Sequence, residues 1–298
     1  MLEPERQASA GNSTLRAVPL VCPLCREREG SEQATLLQRT SHHSWVCPIG
    51  HHFDQAKQGY LNLLPAHFKR SKDPGDSKAM VQSRRRFLEA GHYCPIAEQL
   101  GQLVAALRPQ TARLLDAGCG EGYYLRQLQQ TLEGSWQLLG NDVSKWAVQA
   151  AAPWHKSGHY VVASNARLPY PTASLDVVLC GFGFVSAAEF ARVLVPGGLL
   201  ITIDPLPLHL LALRELLYAK AQQKASHHAV LAGFEAVQHH DLEFGFELDQ
   251  QGLQDLIAMT PHAYRAPAEG KLRARDTESL TLQAAVRFKV WRVTKELL

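Results

Sequence analysis

The stretch that decides the fold is RLLDAGCGEGYYLRQLQ, residues 113–129. An apolar pair, Leu114-Leu115, runs into Asp116-Ala117-Gly118-Cys119-Gly120-Glu121-Gly122, and a helical pattern follows. Glycines at such a junction let the chain turn sharply and let a ligand approach the backbone at the end of a strand. A lone Gly-x-Gly-x-Gly is a weak signal, because dinucleotide enzymes use a similar loop, although the G-x-G-x-x-G of a pyrophosphate site is absent here. The rest of the unit is more specific. Gln137-Leu138-Leu139-Gly140-Asn141-Asp142 reads as a second strand ending in an acid 22 residues after Gly120. A carboxylate there can hold both hydroxyls of a ribose. HYVVASNARLPYP (159–171) reads as a third strand ending in Ser164-Asn165, short polar groups able to meet an adenine edge. SLDVVLC (174–180) and GGLLITIDP (197–205) follow, separated by the helical AAEFARVL and the turn Pro196-Gly197-Gly198. Strands alternating with helices predict an α/β fold around a largely parallel sheet. Asp116, Gly118, Gly120, Asp142, Ser164 and Asn165 are the candidate nucleoside-binding residues.

Upstream, VCPLC and WVCPIGHHFD give the pattern Cys22-x2-Cys25, 21 residues, then Cys47-x3-His51. Two knuckles of this kind complete a tetrahedron around Zn²⁺, with His51 the better fourth ligand by spacing and His52 the fallback. The alternative is three buried thiols, against which stand the two Cys-Pro steps at matching positions. The residues between the knuckles, ATLLQRT and SWVC, read as two short strands of a zinc-ribbon-like hairpin. A lobe of some 35 residues is too small to be held by burial alone, so the metal is structural.

The chain has 298 residues, 46% hydrophobic and 20% charged, with a net charge of only +3. The charge is unevenly placed. Between Lys57 and Arg86 eight Lys/Arg face two Asp, a local +6 that leaves the remainder near −3. A localised basic patch on a balanced protein is the footprint of a polyanion, the plain alternative being a solvated surface stretch. No apolar run long enough to span a membrane occurs. The first 16 residues are polar and read as a tail without an export signal. Six cysteines in such a chain predict reduced thiols and a cytoplasmic location. The predicted organisation is a tail (1–16), a zinc-binding lobe (17–56), a basic connecting segment (57–95) and a catalytic domain (96–298).

The order D-x-G-x-G-x-G, acid-ended strand, LPYPTASLDVV and LVPGGLLITI resembles the class I S-adenosyl-L-methionine-dependent methyltransferases over about residues 110–295. The resemblance implies a seven-stranded mixed sheet flanked by helices, with the last two strands near 242–248 and 284–293. Adding the zinc knuckles and GYLNLLPAHFKRSKDPGDSKAMVQSRRRFLEAGHYCP, the chain resembles one family from about Val21 onward: the bacterial 23S ribosomal RNA (guanine-N1) methyltransferases of the RlmA type. That likeness implies zinc on Cys22, Cys25, Cys47 and His51. It implies cofactor contacts from Tyr93, Tyr124, Leu125 and His209, and a hairpin loop of 23S ribosomal RNA as substrate. Lys69, Arg70, Lys72, Arg84, Arg85 and Arg86 then become the expected phosphate contacts. His67, Phe68, Tyr60 and Phe87 can stack on unpaired bases, though Phe87 suits core packing better.

Methyl transfer to guanine N1 is an in-line displacement that also releases the N1 proton. No general base is identified; Asp204 stands in a suitable place, but the family does not carry an acid there. The chain also departs from the family after its fourth strand. Where an aromatic is followed by Ala-Pro, this chain reads Cys180-Gly181-Phe182-Gly183-Phe184-Val185, with Phe184 in place of the proline. A small-molecule methyltransferase and a zinc-dependent RNA-binding protein without catalysis are the competing readings. A monomer and a homodimer both remain open.

Overall fold

The computed structural model describes residues 17–26, 35–40, 43–69, 71–108, 111–154, 159–219 and 230–294. The expected tail and Arg70 lie outside these residues.

Among the described residues the first sheet is an antiparallel meander of β1 (Gln38–Arg39), β2 (Ser44–Val46) and β3 (His52–Asp54). Next to it, the amide of Cys22 bonds the Thr35 carbonyl and that of Leu37 bonds Leu20. The chain then forms β4 (Leu61–Asn62), and a turn at Gly75 leads into α1 (Lys78–Glu89). The Ser77 hydroxyl caps α1 by accepting the Met80 amide at 3.3 Å. Val81, Phe87 and Leu88 face inward, and Gly91 in the left-handed region ends the helix. In α2 (Cys94–Leu107), Ile96, Ala97, Leu100, Leu103 and Val104 repeat at helical spacing and are all buried.

The main sheet is built from β5 (Thr111–Ala117), β6 (Ser135–Asp142), β7 (Tyr160–Val162), β8 (Leu175–Gly181), β9 (Leu194–Pro205), β10 (Phe234–Asp249) and β11 (Ser279–Val293). Its order is β10-β11-β9-β8-β5-β6-β7-β4. The strands from β4 to β9 pair in parallel; β11 runs antiparallel to β9, and β10 to β11. Helices α3 (Tyr123–Thr131), α4 (Lys145–Ala151) and α5 (Ala187–Val193) lie in the crossovers, and α6 (Leu211–Leu217) to α9 (Ala268–Arg275) surround the antiparallel end.

This is the class I methyltransferase sheet with one strand more than the seven expected. The eighth is β4, whose two residues pair in parallel with Val161 and Val162 at the β7 edge. The expected third strand is short, because after Val162 the chain turns at Ser164–Arg167. The penultimate strand starts earlier than expected: residues 235–241 of β10 are exposed on both faces, so no apolar alternation marks them.

The N-terminal lobe is not an independent bead. Val18, Leu20, Cys22 and Leu37 share one core with Leu115, Leu139, Val161, Tyr170 and Phe190. Arg26 reaches Glu189 through two hydrogen bonds of 2.8 and 2.9 Å and also holds the Leu168 carbonyl. Burial alone would raise the Glu189 carboxyl, but the guanidiniums of Arg26 and Arg192 bring it down to about 2.

Candidate functional site

Every parallel strand from β5 to β9 ends at the same edge of the sheet, on either side of the point where the strand order reverses between β5 and its two neighbours. Gly118, Gly120 and Gly122 follow β5 with φ of 92°, 55° and 84°, a run of left-handed conformations that residues with a side chain adopt only under strain. The Gly118 and Cys119 amides both bond the Asn141 carbonyl, at 2.8 and 2.9 Å. Asp142, at the end of β6 and partly open to the cleft, fixes the loop from the other side. Its Oδ2 accepts the Gly120 amide at 3.0 Å and its Oδ1 accepts the Ser144 amide at 2.8 Å. Burial raises the Asp142 carboxyl against the pull of those two amides. A carboxylate oxygen has a second lone pair, so both retain acceptor capacity toward a bound nucleoside.

Asp116 is 2% exposed, and its Oδ2 has no partner within the protein. Burial, with Asp142 nearby, pushes its carboxyl up to about 8. Glu121, inside the loop, is fully enclosed and held by Arg126 at 2.8 Å.

Ser164 and Asn165 stand at the end of β7 but turn their polar groups mainly to the protein. The Asn165 Nδ2 donates to the carbonyls of Ala117 and Phe184, at 3.1 and 3.0 Å, and its Oδ1 accepts from Asn141 Nδ2 at 2.9 Å. Asn165 thus clamps the end of β5 to the 181–185 segment. The Ser164 hydroxyl accepts the Ala166 amide.

Across the cleft, Tyr93 lies 4% exposed at the start of α2, its hydroxyl 3.3 Å from His209 Nε2. The Ala285 amide donates to His209 Nδ1 at 3.2 Å, so the neutral ring carries its proton on Nε2 and donates it to Tyr93. Burial, aided by Arg214, pushes His209 down to about 4. Phe182 completes this aromatic wall, its ring 6.2 Å from Tyr93 and 5.9 Å from His209. Its φ is 54°, and its ring is 41% exposed, while Phe184 beyond it is 68% exposed. Tyr124 lines the cleft; Leu125 is 1% exposed and packs in the core behind it.

The cleft holds about 1270 Å³ and runs from Val21, Pro23 and Arg26 of the N-terminal lobe to the glycine loop, with Asp204 and the 259–262 segment on its rim. Of the expected stacking residues, His67 and Phe68 line it, whereas Tyr60 and Phe87 are 5% and 1% exposed and belong to the core.

In the lobe, the ligand atoms of Cys22, Cys25, Cys47 and His51 all lie within 4.8 Å of one another. Cys25 Sγ lies 3.2 Å from His51 Nδ1 and 3.5 Å from Cys47 Sγ. The edges of a Zn²⁺ tetrahedron with arms of about 2.0–2.3 Å measure roughly 3.5–3.8 Å, so three thiolates and one imidazole fit a closed site. The His51 amide donates to Cys47 Sγ at 3.3 Å, as in a metal knuckle. The alternative ligand, His52, starts β3, is exposed and stands outside this group.

The basic segment divides in two. Lys69 and Lys72 are exposed. The three arginines of α1 are engaged within the chain: Arg84 with Asp76 at 2.9 Å and with the Met259 carbonyl, Arg85 with Glu121 at 3.4 Å and the Ala150 carbonyl, Arg86 with both oxygens of Asp255 at 2.5 and 2.9 Å. Sequence reading gave no role to Glu121 and Asp255, which lie 36 and 169 residues from their arginines, nor to Asn141 inside an apolar strand.

Comparison with known proteins places these features together. Residues 20–72 match the N-terminal zinc-ribbon model of RlmA, and residues 115–202 match a methyltransferase domain. Fold and site therefore define a class I methyltransferase that depends on S-adenosylmethionine and carries a structural zinc ribbon. A "23S rRNA (guanine(748)-N(1))-methyltransferase" of Streptomyces fradiae is 33% identical over 82% of this chain and 85% of its own length. A "Putative 23S rRNA (guanine-N(1)-)-methyltransferase" of Micromonospora griseorubida is 32% identical, covering 83% and 89%, and a counterpart in Bacillus subtilis is 30% identical, covering 83% and 88%. The chain belongs to this RlmA-type methyltransferase family. Among the described residues, no helix is long and apolar enough to cross a membrane.

Proposed function

We propose that the protein methylates guanine N1 in a hairpin loop of 23S ribosomal RNA. The observation that carries this reading is the continuous cleft, which joins the zinc lobe and basic segment to the glycine loop. A single-ligand site needs about 300–1,000 Å³; the larger cleft suits a cofactor together with a nucleotide held by a polymer.

S-adenosylmethionine supplies an electrophilic methyl group. The chain's residues do the rest by positioning. Asp142 takes the ribose hydroxyls while its inner lone pairs keep the Gly120 loop in place. Asp116 Oδ2, unpartnered and buried, meets a polar group of the amino-acid end. Tyr93 accepts the hydrogen bond from His209 Nε2–H and directs its own hydroxyl hydrogen to the ligand. Phe182 and Phe184 supply apolar surface for the target base at the end of β8. Zinc on Cys22, Cys25, Cys47 and His51 folds the lobe. Lys69 and Lys72 meet phosphates, whereas Arg84, Arg85 and Arg86 fix the basic helix onto the catalytic domain.

Mass-spectrometric mapping of 23S ribosomal RNA from cells with and without the gene tests the reading. The expected result is the loss of one N1-methylguanine; an unchanged methylation map refutes it.

A further inference from the structure

We propose that His67, Phe68 and Arg167 form a second nucleobase-stacking subsite, which takes an unpaired base beside the one being methylated. The inference rests on the RNA-methylating reading above.

Phe68 ends the single turn Ala66–Phe68, started by Pro65 on the N-terminal side of the cleft. Its ring centroid lies 4.3 Å from that of His67, the planes tilted by 45°. The Arg167 guanidinium sits 4.3 Å from the Phe68 centroid. His67 and Arg167 are exposed, Phe68 is half-buried, and all three line the cleft that contains the glycine loop.

The placement of Arg167 ties this cluster to the chemistry. Arg167 closes the turn Ser164–Arg167, its amide donating to the Ser164 carbonyl at 2.9 Å. Asn165 in the same turn grips the end of β5 and the Phe184 carbonyl. One short turn thus sends Asn165 toward the target-base segment and Arg167 toward Phe68, fixing the spacing between them. A guanidinium plane and an aromatic ring are both surfaces on which a base from single-stranded RNA stacks regardless of its identity. Exposed Lys69, next to Phe68, is placed for the adjoining phosphate. The opposing role, a tether between lobe and catalytic domain, is already filled by the Arg26–Glu189 pair and by β4 in the main sheet. One exposed cation–π contact adds little to those.

The test uses the full-length, zinc-loaded protein and a transcript of the 23S segment around guanine 748, the position named for the Streptomyces relative. Binding is followed against salt for wild type, Phe68→Ala, Phe68→Trp and Arg167→Lys. A stacked base is worth about 1–3 kcal/mol, so Phe68→Ala should weaken binding roughly 5- to 150-fold. The slope against log salt should stay constant because no charge is removed. Phe68→Trp should restore binding. Arg167→Lys, which keeps the charge and loses the plane, should weaken binding at constant slope. S-adenosylmethionine affinity should be unaltered throughout, and any fall in melting temperature on Phe68→Ala, which loses packing against the main core, should be reversed by Phe68→Trp. Phe68→Ala with wild-type RNA affinity overturns the proposal, as does a loss of cofactor binding and melting temperature that Phe68→Trp does not reverse. A wild-type protein that binds neither this transcript nor leaves a methyl group in the 23S map overturns the functional reading itself, and this subsite with it.

Discussion

Replacing Arg84, Arg85 and Arg86 together with glutamine separates a basic helix that meets RNA from one that braces the catalytic domain. The three losses are unequal. Asp255 is 5% exposed and loses its guanidinium partner. Breaking a fully buried pair costs about 3–5 kcal/mol. Here the Arg86 side chain is 54% exposed and water reaches the pair, which reduces the figure to about 1.5–3 kcal/mol. Glu121 is wholly enclosed but keeps Arg126 at 2.8 Å, so the loss of Arg85 is small. Arg84 and Asp76 are each nearly 30% exposed, and their pair contributes about 0.2–1 kcal/mol. The sum is about 2–4 kcal/mol, or a fall in melting temperature of about 4–16 °C. Thermal unfolding by circular dichroism reads this directly. Salt titration of RNA binding, run well below the transition, reads the alternative: each phosphate contact adds about 0.7–0.9 to the slope of log K against log salt. The expected outcome is a lower melting temperature with an unchanged slope. An unchanged melting temperature with a slope reduced by one or more would refute the bracing role and return the arginines to the RNA.

Asp142→Ala should weaken S-adenosylmethionine binding by about 1.5–3 kcal/mol, roughly 10- to 150-fold by calorimetry, because a charge-assisted acceptor is lost and the Gly120 amide is released; unaltered affinity would remove Asp142 from the cofactor site. Protein purified without chelators should carry one equivalent of zinc, and Cys47→Ser should lower that content and the stability of the lobe; a metal content below about half an equivalent would contradict the assignment. His209 has a folded value of about 4 against an ordinary 6.5, so between these values the unfolded chain binds the extra proton. Stability should therefore fall as pH drops from 6.5 toward 4, by up to about 1.4 kcal/mol per pH unit, and His209→Gln should flatten that fall in urea titrations at several pH values.

What the sequence revealed depended on how local each signal was. The glycine loop, the acid-ended β6 and the Cys-x2-Cys knuckle are recorded within a few residues each, and the alternation of strands and helices followed from their succession. Strand β4 was not legible, since two residues of YLNLLP become a strand only beside Val161 and Val162. The exposed half of β10 lacked alternation because neither face is covered there. Charge was the least informative signal. Arg84, Arg85 and Arg86 look alike in sequence, yet their partners lie 8, 36 and 169 residues away, and only the fold brings them together. Asn165 was visible as a polar residue after β7, while the carbonyls that occupy its amide were not.

The pairing of β4 with β7 has a temporal side. The zinc ligands span Cys22 to His51, so the metal knuckles can close soon after this short stretch leaves the ribosome. The other attachments of the lobe must wait. Leu61 pairs with Val161, the Val21 amide bonds the Pro169 carbonyl, and Arg26 bonds Glu189. At about 5–20 residues per second, the intervening chain takes roughly 5–30 s to synthesise. During that interval the nascent lobe holds its metal but lacks the apolar surface it will rest on, and β4 is an unpaired strand. A catalytic domain expressed without the first 65 residues meets the mirror-image problem, a bare parallel edge at β7 open to pairing with another chain. The two parts mature as one unit, and a cut between them leaves both incomplete.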